Sequence, residues 1–134
     1  MEYKHHRDRL GCQILSMPII YGMIIPFIIL HIGTEIYQHV CFPLYGIPLV
    51  DRKKYIKFDR FRLPYLTFIQ KFNCTYCAYA NGLMKYVTTI VAETEKYWCG
   101  IRHRPSPGFQ EPEHEKHFLA YGDKKAYEEF VKKG

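Results

Sequence analysis

Residues 14–33 read ILSMPIIYGMIIPFIILHIG, twenty positions without Asp, Glu, Lys or Arg. About 20 apolar residues are what a helix needs to cross a ~30 Å hydrocarbon core. The stretch therefore predicts a retained membrane helix. Pro18, Gly22 and Pro26 would damage a helix in water. In a bilayer the backbone has little alternative to helix, so they predict a bend instead. Lys4, Arg7 and Arg9 precede the run as a signal peptide's basic start would, but no small-residue cleavage site follows it.

The apolar character continues through residues 34–50, where Glu35 is the sole formal charge. Pro43, Gly46 and Pro48 predict an interfacial or re-entrant turn there rather than a second crossing. Beyond it the composition changes: Arg52, Lys53, Lys54, Lys57, Arg60 and Arg62 outnumber the three basic residues before the span. That bias favours a cytoplasmic C-terminal part. A hairpin with both ends inside satisfies the same rule. Either arrangement keeps the C-terminal cysteines in a reducing compartment, which argues against structural disulfides and against use of the Asn73-Cys74-Thr75 sequon.

The whole chain has 134 residues, 48% apolar, with 19 Lys+Arg against 13 Asp+Glu and a net charge of +6. The length allows one small domain. The apolar content excludes disorder, and five cysteines are too few for a disulfide scaffold. A Gly-rich phosphate loop, GxSxG, HExxH and a fixed-period repeat are all missing, so the common enzyme classes have no support. Glu93 and Glu95, two apart on an expected helix, read as solvated residues.

Three groups of residues carry candidate chemistry. His31, Glu35 and His39 fall at i, i+4 and i+8 and share one helical face. Ionisable groups are costly against lipid, so the trio suits a membrane enzyme or proton path, or else marks the point where the helix surfaces. The second group is the aromatic series Tyr55, Phe58, Phe61, Tyr65, Phe68, Phe72, Tyr76 and Tyr79, spaced by three or four as on a helix, with Pro64 dividing it. Lys53, Lys54, Lys57, Arg60 and Arg62 crowd its first half. The combination predicts an amphipathic element on anionic headgroups, with a small core as the alternative and no nucleic-acid partner.

The third group is Cys74-Thr-Tyr-Cys77 with Cys99 and His103. Three thiolates and an imidazole make a structural zinc set, or an iron site. His114 and His117 are alternative ligands, brought in if Pro112 opens a short helix. Against this, residues 83–97 read as a helix with Asn81-Gly82 as the turn before it, and fifteen residues span about 22 Å. A straight helix would hold Cys77 and Cys99 apart. The CxxC also reads as a thiol redox pair, or as buried structural thiols. Cys12 and Cys41 stand alone. Residues 123–134 read as a capped, mixed-charge surface helix.

The segments CFPLYGIPLV, NCTYCAYANGL and ETEKYWCGIRH, with a weaker match at FLAYGD, resemble an uncharacterised family of small bacterial membrane-associated proteins. The resemblance covers roughly residues 35 to 103. It implies a shared architecture, a thiol pair at Cys74 and Cys77 and a further thiol at Cys99. It implies no reaction.

Together these readings predict a mainly α protein. Residues 1–50 form a membrane anchor with an interfacial turn, and residues 51–134 a small helical domain on the cytoplasmic face of the inner membrane. The expected function is that of a noncatalytic accessory subunit held together by a Cys/His metal site. Its partners would be the bilayer and other membrane proteins or further copies of itself. A membrane-tethered CxxC redox or electron-transfer protein and a His31/Glu35/His39 enzyme are the alternatives.

Overall fold

A computed structural model describes residues 10–133 of the chain; the basic residues Lys4, Arg7 and Arg9 lie outside them. The architecture is helical, with helices α1 (Leu10–Gly22), α2 (Ile24–Tyr45), α3 (Phe68–Trp98) and α4 (Lys124–Lys133). Single 3-10 turns occupy Arg52–Lys54, Asp59–Arg62 and Glu113–His117. A lone parallel bridge joins Ile101 to Leu119.

α1 and α2 form one nearly continuous apolar rod, and Ile14–Tyr45 is long and apolar enough to cross a membrane. The two helices divide at Met23, whose backbone itself stays in the right-handed helical region at φ −64° and ψ −14°. Pro26 has no N–H to offer the Gly22 carbonyl, which loosens the backbone there. The turn expected from Pro43, Gly46 and Pro48 comes late in the stretch that ends at Val50. α2 continues to Tyr45 and stops only where Gly46 enters the left-handed region at φ 70°, its N–H donating to Phe42 O and Pro43 O. Pro43 lies in the last turn of α2, where it withholds an N–H from the His39 carbonyl, and the turn itself is residues 46–51.

The expected basic aromatic helix from Tyr55 is also absent. Residues 55–67 are a largely irregular return segment, and α3 begins only at Phe68. Its start is a capping box: the Thr67 hydroxyl accepts from Gln70 N while the Gln70 side chain accepts from Thr67 N. Pro64 and six like charges between Arg52 and Arg62 oppose helix over that stretch. Beyond Phe68 the aromatic spacing behaves as read: Phe72 meets Tyr21 of α1, and Tyr76 and Tyr79 meet Phe27 and His31 of α2.

The contacts fix the relative direction of the two long helices. Tyr21 meets Phe72, His31 meets Tyr79, Tyr37 reaches Thr94, and Tyr45 stacks on Tyr97 at 4.8 Å. α2 and α3 are therefore parallel, and the segment 46–67 must run back along them. Val50 lies at Gln38, Arg52 at Glu35, and Tyr55 beside Tyr86. The return segment and α3 thus flank the apolar rod.

The buried core is small: Phe42, Leu83, Tyr86 and Ile90, with Tyr37, Ile47, Tyr55 and Ile56 packed around them. The Asn81-Gly82 pair expected to be a turn lies inside α3. Gly82 is buried against the return segment, where the Tyr55 and Ile56 backbone passes. The chain exposes 11188 Å². A compact globule of 16.0 kDa would expose roughly 7,400 Å².

Candidate functional site

A polar network threads the α2–α3 interface. Buried Gln38 donates from Nε2 to the Tyr86 hydroxyl at 2.8 Å and accepts from Val50 N at 2.9 Å. Tyr86 in turn donates to Glu35 Oε1 at 3.0 Å. His31 lies 3.5 Å from Glu35 and His39 3.4 Å, as the i, i+4 spacing requires. Arg52 reaches the same carboxylate at 3.5 Å, and His31 Nδ1 meets the Tyr79 hydroxyl at 2.9 Å. Burial, then the hydrogen bond to Glu35, pushes the Tyr86 hydroxyl up to about 12. Burial also raises Tyr79. The trio expected on one face is therefore together: His31 and Glu35 are turned onto Arg52 and α3, while His39 stays exposed. The half-buried groups satisfy one another, as polar side chains between helices require.

The basic residues Lys53, Lys54, Lys57, Arg60 and Arg62 are exposed along the return segment. At its far end Lys71 lies 5.8 Å from the centre of the Phe61 ring.

The expected cysteine site is not assembled. Cys74 and Cys77 lie within the first third of α3, and Cys99 caps its opposite end. Twenty-two residues of continuous helix put Cys77 and Cys99 about 33 Å apart. Nor does the tail fold back to the CxxC, because His103 stays at the Cys99 end beside Glu115. All five cysteines are free, with Cys12, Cys77 and Cys99 exposed. The CxxC also lies inside the helix, six residues and more past its first residue, Phe68.

A different group comes together at the C-terminal end of α3. Glu95, His103 and Glu115 each offer a ligand atom within 4.8 Å of the others. His114 Nε2 lies 2.8 Å from Glu95 Oε2. The expected short helix after Pro112 is the 3-10 turn Glu113–His117. It brings His114 and Glu115 to α3, while His117 lies outside the cluster. Two features anchor this strap. The Ile101–Leu119 bridge is closed by Arg102 N to Leu119 O at 2.8 Å and Leu119 N to Gly100 O at 2.9 Å. Arg102 also donates to both Glu111 oxygens, at 2.6 and 2.7 Å. That pair holds the Glu111 carboxyl below the usual carboxylate range and raises the guanidinium further.

Glu95 and Glu115 are the residues that sequence reasoning missed. Glu95 sits four residues before Cys99 and eight before His103, so it occupies the same end of the helix. Glu115 lies in EPEHEKH, where alternating Glu and His concentrate ligands. Burial of Glu115 has no sequence signal of its own.

Comparison with protein-family models, with curated proteins and with solved structures found no match to the chain.

Proposed function

We propose that this chain is a small membrane-anchored accessory protein, a subunit or self-associating component of a larger membrane assembly, with its C-terminal part on the cytoplasmic side of the inner membrane. The observation that carries the reading is the exposed surface of the α1–α2 rod. Leu15, Ile19, Ile25, Ile29, Ile36 and Leu44 are all exposed, and Glu35, the one charge, is turned to Arg52 and Tyr86. Apolar area of this extent marks a lipid or protein contact. On α3, Ile69, Val91 and Trp98 are also exposed, which extends that surface to a partner.

The return segment limits how the rod can sit. Arg52 lies at Glu35 and Tyr55 at Tyr86, so the adjoining Lys53, Lys54 and Lys57 come level with α2 and not beyond its end. Immersing α2 on every side would carry these cations into hydrocarbon at about 2.5–3.5 kcal/mol each. In this reading the apolar α1–α2 face enters lipid while the basic edge stays at the headgroups. Each basic side chain there gains on the order of 1 kcal/mol from anionic lipid.

Membrane fractionation with alkaline extraction tests the anchor. Wild type stays in the pellet, and Ile29→Lys with Ile36→Lys releases it. A wild-type chain recovered as a soluble monomer overturns the reading. Size in mild detergent tests the assembly, since a particle with more than one polypeptide is expected.

A further inference from the structure

Glu115 presents an unusual electrostatic problem. It is 1% exposed, in a chain whose core is only a handful of residues. Its carboxylate accepts one long bond from His103 N–H, at 3.3 Å, and faces His103 Nε2 at 3.6 Å. The neighbouring guanidinium of Arg102 is held by Glu111 through two short bonds. A buried carboxylate is costly unless a cation or several donors compensate it. His103 alone offers little, because its ring is mostly exposed and its Nε2 stands 3.6 Å away.

Glu95 adds a second carboxylate to the same point, and the three donors lie within 4.8 Å of one another. Oxygen and nitrogen ligands bind zinc at about 2.0–2.2 Å, so donors sharing one ion stand roughly 3–4 Å apart. A small inward movement of the exposed His103 ring closes that gap. The set is mixed, imidazole with carboxylates, which suits a first-row transition ion better than calcium or magnesium. His114 supplies what ligating carboxylates ordinarily have, a hydrogen-bond partner that fixes their orientation.

We propose that Glu95, His103 and Glu115 form a binding site for one divalent transition-metal ion of the zinc type, with His114 positioning the Glu95 carboxylate. The ion compensates the buried Glu115 charge. It also staples the strap 101–119 to the end of α3, in a region where apolar burial is slight. Three protein ligands leave one position open toward solvent on the His103 side. The cysteines take no part. The site does not depend on membrane anchoring.

The test is titration of the full-length chain, purified in detergent and stripped with a chelator, with Zn²⁺ alone. One ion per chain is expected. His103→Ala and Glu115→Gln should each weaken binding at least tenfold, and His114→Ala by about tenfold. Cys74→Ser with Cys77→Ser should leave the Kd within about twofold of wild type, by the distance argument above. If Glu115→Gln loses its helical circular dichroism, Glu95→Gln on the half-exposed side decides instead. The proposal is overturned by an absence of saturable uptake in wild type. It is equally overturned by wild-type affinity in a folded Glu95→Gln, or by loss of the ion in the cysteine double variant.

Discussion

Gly82 lies so close to Tyr55 that a Cβ placed on it would meet the Tyr55 carbonyl oxygen at 2.6 Å and the Ile56 Cα at 3.0 Å. Both neighbours are backbone, so neither can swing aside. Gly82→Ala should therefore destabilise by about 1–3 kcal/mol as the return segment is pushed off α3, although alanine favours helix by up to about 1 kcal/mol. Gly33, in α2, has no atom within 4 Å of its own Cβ position. Gly33→Ala should be neutral or stabilising. Thermal melts in one detergent compare the two, and equal shifts would show that the return segment is not seated at Gly82.

The same glycine shows where sequence reading succeeds and where it stops. The first part of the rod, residues 14–33, was legible because twenty apolar residues without a formal charge match the length of a spanning helix, and the periodicity of residues 83–97 correctly marked part of α3. Asn81-Gly82 carries the local signature of a turn. Only the backbone of Tyr55 and Ile56, far away in sequence, makes glycine a packing requirement there. Parallel packing of α2 and α3 was likewise hidden, because it depends on residues 46–67 running back along the pair. The His31, Glu35 and His39 face followed from spacing alone. The metal-ligand group did not, since Glu95 and Glu115 look like ordinary solvated carboxylates until the bridge at Ile101 folds the strap inward. His103 and His114 were nominated as ligands, but beside cysteines that helix length keeps remote.

Tyr86 links Gln38 to Glu35, and its removal should be felt at both. Tyr86→Phe leaves the buried Gln38 amide short of an acceptor, at an expected cost of about 1–3 kcal/mol. The hydroxyl, ordinarily near 10, is pushed up to about 12 by burial and by Glu35. A raised folded value means that the folded chain keeps this proton where the unfolded chain loses it. Its contribution is fully present below pH 10 and is lost as pH rises through about 12. Difference absorbance of phenolate, wild type minus Tyr86→Phe, should show one tyrosine titrating late.

Replacing Lys53, Lys54 and Lys57 by Glu should separate electrostatic from apolar attachment. With on the order of 1 kcal/mol per basic residue, binding to vesicles rich in anionic lipid should fall by about a hundredfold or more. Binding to neutral vesicles should hardly change, because the α1–α2 face is untouched. The wild-type difference between the two vesicle types should shrink in high salt. An equal loss on both would mean that the substitutions had disturbed the fold around Tyr55 and Gly82.

The strap carrying His103, His114 and Glu115 is tied down in part by the bidentate Arg102–Glu111 pair. Hydrogen bonding from Arg102 is the main cause of the lowered Glu111 value. A depressed folded value contributes stability that is present above the ordinary carboxylate pKa and is lost as pH falls through the lowered one. Acidification should therefore loosen residues 101–119 while the α2–α3 interface, held by Phe42, Leu83 and Ile90, persists. Hydrogen exchange at the Arg102 and Leu119 amides, which close the Ile101–Leu119 bridge, reads this directly. Both should exchange faster in acid, after correction for intrinsic rates, and Glu111→Gln should bring the same acceleration at neutral pH. If the amides of α3 near Ile90 accelerate in step with them, the strap and the helix pair unfold as one unit and the local assignment fails.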